Sequence, residues 1–89
     1  MEEAKELQVS LEAAILRLLD QRGAGKSICP SEVARTVAGS EVRSAWEPLM
    51  EPTRQAARHL VAEGRLLITQ HGREIDGSTA KGPVRLRLR

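Results

Sequence analysis

Gly64 separates two hydrophobic periods, and that change of period restricts how this chain folds more than any other feature. Before it, Leu11, Ala14, Ile15, Leu18 and Leu19 recur every three or four positions, as do Ala56, Ala57, Leu60 and Val61. Such spacing places them on one face of a helix. After it, "RLLITQ" (65–70) is rich in aliphatic and β-branched residues, and "PVRLRLR" (83–89) alternates Val84, Leu86 and Leu88, read as inward, with Arg85, Arg87 and Arg89, read as outward. A two-residue period belongs to a strand with one buried face. The expectation is an α+β domain with three helices first and a β-hairpin at the C-terminal end.

Helix signals divide the first 64 residues. Ser10 is a suitable N-cap and Gly23 a stop for the first helix, leaving residues 1–9 as a tail or an extension of it. Cys29 precedes Pro30, a residue favoured at the first helical position, and Val33, Ala34 and Val37 continue at helical spacing up to Gly39. In "SEVRSAWEPLMEP" (40–52), Pro48 and Pro52 restrict the residues before them, so a short turn is expected around Trp46 to Met50, with the third helix starting near Pro52. Between the two strands, "HGREIDGSTAKG" (71–82) is a loop by virtue of Gly72, Asp76, Gly77, Ser78 and Gly82, with Ile75 tucking back onto the core. "SIC" (27–29) is short enough to add a third strand ahead of the second helix. Three helices, a short strand and a hairpin with a long polar loop follow the order of a winged helix, here over residues 10–89.

Size and charge narrow the function classes. A chain of 89 residues forms one small domain. No apolar run approaches the roughly 18 to 20 residues that cross a bilayer, and "MEEAKELQ" lacks the basic and apolar regions of a secretory signal, so a cytoplasmic protein with no membrane partner is expected. Cys29 is the single cysteine, which excludes an intrachain disulfide. Net charge is +2, unevenly spread. Residues 1–20 set Lys5 and Arg17 against five carboxylates, whereas residues 64–89 set six cations against Glu74 and Asp76. An acidic head and a basic tail point to an anionic partner for the C-terminal part, although arginines kept for solubility produce the same pattern.

"GAGKS" (23–27) resembles the end of a nucleotide-cradling loop, but the position five residues before Gly25 is Asp20 instead of glycine, an amphipathic helix precedes it instead of a strand, and the chain is too small for the surrounding parallel sheet. It reads as a tight turn. Cys29, His59 and His71 are scattered singles rather than the close-spaced pairs of a structural zinc site, so no metal or other cofactor is expected. Cys29 reads as a small buried residue at a helix start. No Ser, His and Asp arrangement suggests nucleophilic catalysis, and the chain reads as non-catalytic.

The exposed cations carry more information. Arg54, Gln55 and Arg58 lie opposite the apolar stripe of the third helix, where arginine can bond guanine and glutamine adenine in a major groove. Arg65, Arg73, Lys81, Arg85 and Arg87 fall on the hairpin, where they would meet phosphates. The bland alternative is that Arg54 and Arg58 pair with Glu51 or Glu63, and that arginines on an edge strand discourage aggregation. Trp46, the one aromatic, reads as a core residue beside Leu49, and a single ring cannot supply the stacking platforms of single-strand binders. Duplex DNA is the better candidate.

Across "ICPSEVAR" (28–35), "WEPLMEPTRQAARHLVAEGRLLITQHG" (46–72) and "AKGPVRLR" (80–87), the sequence resembles a bacterial family catalogued as domain of unknown function 3253. The resemblance spans Ile15 to Arg87. It implies a small winged-helix-like domain without an assigned activity, and it carries no residue roles. The link from Val37 to Pro52 is much longer than the three- to four-residue turn of ordinary helix-turn-helix units. The reading is a DNA-binding winged helix or small regulator; its rival is a protein-interaction module that meets an acidic partner or forms a homodimer through the first helix.

Overall fold

The computed structural model of the protein describes residues 2–76 and 82–89, so the expectations for Gly77, Ser78 and Lys81 lie outside the described residues. The chain runs through α1 (Glu2–Arg22), β1 (Ser27–Ile28), α2 (Pro30–Ala38), α3 (Arg43–Trp46), a 3-10 turn (Glu47–Leu49), α4 (Met50–Ala62), β2 (Leu66–Gln70), β3 (Arg73–Glu74) and β4 (Arg85–Leu88). It is an α+β fold: α1, α2 and α4 pack together, and beside them lies an antiparallel sheet in the order β1-β4-β2-β3.

The first helix starts earlier than Ser10, which sits within it instead of capping it. Residues 2–8 are all Glu, Ala, Lys, Leu or Gln, strong helix formers, so propagation through them is favoured. A Gln8 Nε2 to Glu12 Oε2 bond of 2.9 Å, one turn apart, supports that stretch. Helix α2 begins and ends where expected. Pro30 is its first residue, Cys29 N–H donates to Glu32 Oε1 at 3.2 Å, Gly39 N–H donates to Arg35 O at 2.9 Å, and the left-handed conformation of Gly39, φ 68°, turns the Ser40 N–H back onto the same carbonyl at 3.3 Å.

The long link between α2 and α4 is itself largely helical. Helix α3 and the 3-10 turn run directly into α4, which starts at Met50, two residues before Pro52. Pro52 is then the third helical residue, where its missing N–H is one of the four that have no intrahelical partner anyway. Trp46 is not in the core. It is only half-buried, with the Arg35 guanidinium 5.9 Å from its ring centroid and its indole N–H donating to Glu41 O at 3.3 Å. Arginine over an aromatic face is a favourable cover for a ring at the surface.

Leu11, Ala14, Ile15 and Leu19 of α1, Val33 of α2, and Ala56, Ala57 and Leu60 of α4 form one buried cluster with Ile28, Leu66, Ile68 and Leu86 of the sheet. Burying each large aliphatic side chain contributes about 2 kcal/mol. Register follows from this core. Leu86 lies opposite both Ile28 and Ile68, and Leu66 opposite Leu88, so the apolar sets of three strands face the helices together. The strands expected as a simple hairpin thus lie inside a four-stranded sheet. The extra outer strand, β3, follows a two-residue turn in which His71 and Gly72 have φ of 54° and 80°. Two consecutive positive φ values match the right-handed twist of a hairpin. Ile75 does return to the core edge, its N–H donating to Ile68 O at 2.9 Å.

Candidate nucleic-acid interface

Helix α4 places its cations by what it buries. Thr53, Ala56, Ala57 and Leu60 take the inner face, which leaves Arg54 and Gln55 exposed and Arg58 half-exposed. These three do not form a single cluster. Arg54 and Arg58 line the seam where α4 meets the sheet, together with Pro30, Ile68, Gly82 and Val84. Gln55 sits on the other flank, lining the groove between α4 and α1 with Gln8, Glu12 and Pro52. Consecutive helical residues differ by about 100° in direction, which separates 54 from 55. Arg58 Nη2 is 3.2 Å from Glu51 Oε1, so part of its charge is answered within the helix. Arg54 has no ion-pair partner among the described residues.

The hairpin cations also divide, this time across the sheet. Strand residues alternate sides, and Leu66 and Ile68 point to the helices, so Gln70 and its cross-strand partner Arg73 lie on that same side at the sheet edge. Arg87, opposite Leu67 and Ser27, is on the far side and exposed. Arg65 is exposed just before β2, with its backbone tied to Leu60 O at 3.0 Å and to Arg89 N at 3.3 Å.

Arg85 departs most from the expectation of an outward, phosphate-facing group. Its guanidinium is half-buried and spent on the neighbouring segment: Nε donates to Ser27 Oγ at 3.0 Å, Nη2 to Ser27 O at 2.9 Å and Nη1 to Cys29 Sγ at 2.7 Å. The three-pronged donor geometry of guanidinium suits this arrangement, which joins β4 to β1 and to the start of α2. Cys29 is accordingly half-buried, not fully enclosed.

Glu32 completes the same polar cluster. It accepts from Cys29 N–H and pairs with Arg22 Nη2 at 2.6 Å, while Arg22 Nη1 also reaches Ser27 O at 3.4 Å. Burial pushes the Glu32 carboxyl up, but the bond from Cys29 N–H, the bond and charge of Arg22 and the charge of Arg85 together outweigh it, holding the group below its ordinary value of 4.5. Almost nothing in the local sequence announced this cluster, because Arg22, Ser27, Glu32 and Arg85 come from four different elements. The Ser-x-x-Glu-like spacing of Cys29 and Glu32 was its one legible sign.

These features define a small α+β domain in which the candidate cations read from the sequence lie on α4 and on both sides of an antiparallel sheet, while Lys5, Arg17, Arg22, Lys26 and Arg43 are exposed elsewhere, without an enclosed catalytic constellation among the described residues. A family model described as Protein of unknown function (DUF3253) matches residues 8–89, and the chain belongs to that family. No curated protein matches it significantly.

Proposed function

We propose that the protein is a winged-helix module that binds duplex DNA, with α4 as the groove-facing helix and the β2–β3 turn as an accessory contact. The observation that carries the reading is the side of the sheet shared by α4 and Arg73: Arg54 and Arg58 line its seam with the sheet, and Arg73 projects from the same side at the sheet edge. Element order supports it, since a helix, a short strand, the helices α2, α3 and α4 and then antiparallel strands follow one another much as in winged helices. Arg85 is excluded from the contact set by its bonds to Ser27 and Cys29. Gln55 is a marginal member because it faces the α1 groove.

A salt titration tests this. Fluorescence anisotropy with labelled random duplex should give a log-log slope of about −3 if Arg54, Arg58 and Arg73 are the phosphate-neutralising groups, and about −4 to −5 if Arg65 and Arg87 also engage. Arg54→Ala combined with Arg73→Ala should weaken binding with little change in the melting temperature. Absence of binding at low salt refutes the DNA reading and leaves the protein-partner alternative.

A further inference from the structure

A second polar cluster, on the α1-facing flank of α4, joins α1 to α4. Glu12 of α1, His59 of α4 and Glu63, one turn beyond His59, present three ligating atoms that all lie within 4.8 Å of one another. His59 Nδ1 and Glu12 Oε1 are 3.2 Å apart. From these positions we propose that Glu12, His59 and Glu63 bind one divalent transition-metal ion of the zinc type, which clamps α1 to α4.

Four physical points favour a metal over a plain ion pair. The His59–Glu63 spacing of four residues puts an imidazole and a carboxylate on one helical face, a ready bidentate grip. Glu12 supplies the third ligand from the neighbouring helix, and its side chain is only 16% exposed, so its carboxylate starts from a partly desolvated, favourable position for a cation. Its other oxygen, Oε2, accepts from Gln8 Nε2 at 2.9 Å, which orients the carboxylate from behind in the way outer-sphere bonds orient metal ligands. Finally, the ligand set holds two carboxylates and a single imidazole, an excess of negative ligand charge that suits a divalent cation.

Ligand chemistry selects the ion. One nitrogen and two oxygens suit zinc, cobalt or nickel, whereas magnesium and calcium take oxygen ligands almost exclusively. Three protein ligands leave a fourth position of a tetrahedron for water. Zinc requires bond lengths of about 2.0 to 2.2 Å, and His59 and Glu63, both exposed, have side chains with room to close from the present spacing within 4.8 Å toward a common ion. Holding Glu12 and His59 on one ion links the acidic N-terminal helix to the helix assigned above to DNA, but the site stands whether or not the chain binds DNA.

The test uses the full chain, reduced, with Zn²⁺ and Mg²⁺ in thermal denaturation and Co²⁺ in visible absorption. One equivalent of Zn²⁺ should raise the melting temperature while Mg²⁺ at the same concentration does not, and Co²⁺ should give visible bands that Zn²⁺ displaces. Glu63→Gln and His59→Ala should each lower Zn²⁺ affinity at least tenfold. Cys29→Ser with His71→Asn, which removes the remaining thiol and imidazole, should leave it unchanged. Glu63 is exposed, so Glu63→Gln decides the matter even if His59→Ala folds poorly. Binding only at millimolar Zn²⁺, binding that survives Glu63→Gln, or binding lost in the Cys29→Ser, His71→Asn chain overturns the proposal.

Discussion

Replacing Arg85 by alanine separates a structural arginine from a DNA-contacting one. The guanidinium gives two bonds to Ser27 oxygens, at 3.0 and 2.9 Å, and one to Cys29 Sγ at 2.7 Å. A hydrogen bond from a charged donor is worth about 1.5 kcal/mol at the low end, which suits a half-buried site, and the thiol contact adds less, so Arg85→Ala should cost roughly 2 to 3 kcal/mol. In a domain of this size each kcal/mol moves the melting temperature by about 4 to 8 °C, giving a fall of roughly 8 to 24 °C. Arg54→Ala, which removes an exposed side chain, should stay within about 0.5 kcal/mol of the parent. Arg85→Lys should fall between, because an ammonium cannot hold all three acceptors in one plane. Far-UV circular dichroism melts, with urea titrations as a check, measure all three. If Arg85→Ala melts with the parent chain yet loses duplex affinity as Arg54→Ala does, Arg85 is a binding residue and the assignment of its bonds to stability is wrong.

Glu32 carries the acid sensitivity of the β1–α2 junction. Its folded-state pKa lies below the ordinary 4.5, so its stabilising effect is complete at pH values above that and disappears as pH falls through the lower folded value. Glu32→Gln should therefore destabilise by about 1 kcal/mol near neutrality, by analogy with loss of a helix cap, and the gap to the parent should close in melts taken below pH 4.5. At Gly39 a Cβ would meet no atom within 4 Å, so only the φ of 68° opposes a side chain; Gly39→Ala should cost about 1 kcal/mol and Gly39→Asn less, by chemical denaturation.

The α+β class, the limits of α2 and the strand alternation were legible because they rest on local periods and on residues such as Pro30 and Gly39 that act on their own backbone. Trp46 and Ser10 misled for one reason: a large ring and a capping hydroxyl have strong average preferences, but burial and helix continuity are decided by neighbours. Trp46 met Arg35 at the surface, and Ser10 lay within a run of helix formers. Strand β3 had a sign, the His71-Gly72 pair before Arg73, that resembles a hairpin turn only when the positive φ of His71 is known.

The sequence by itself determined the bodies of α1, α2 and α4, the strands β2 and β4, and which face of each was apolar, since those depend on contacts within about four residues. Tertiary structure alone decided the partners of the charged groups. It sent Arg85 to Ser27 and Cys29, Arg58 to Glu51, and Glu12 to a histidine 47 positions away. Long side chains choose among several partners of similar energy, and only the packing of helices on the sheet fixes which of them is within about 3 Å.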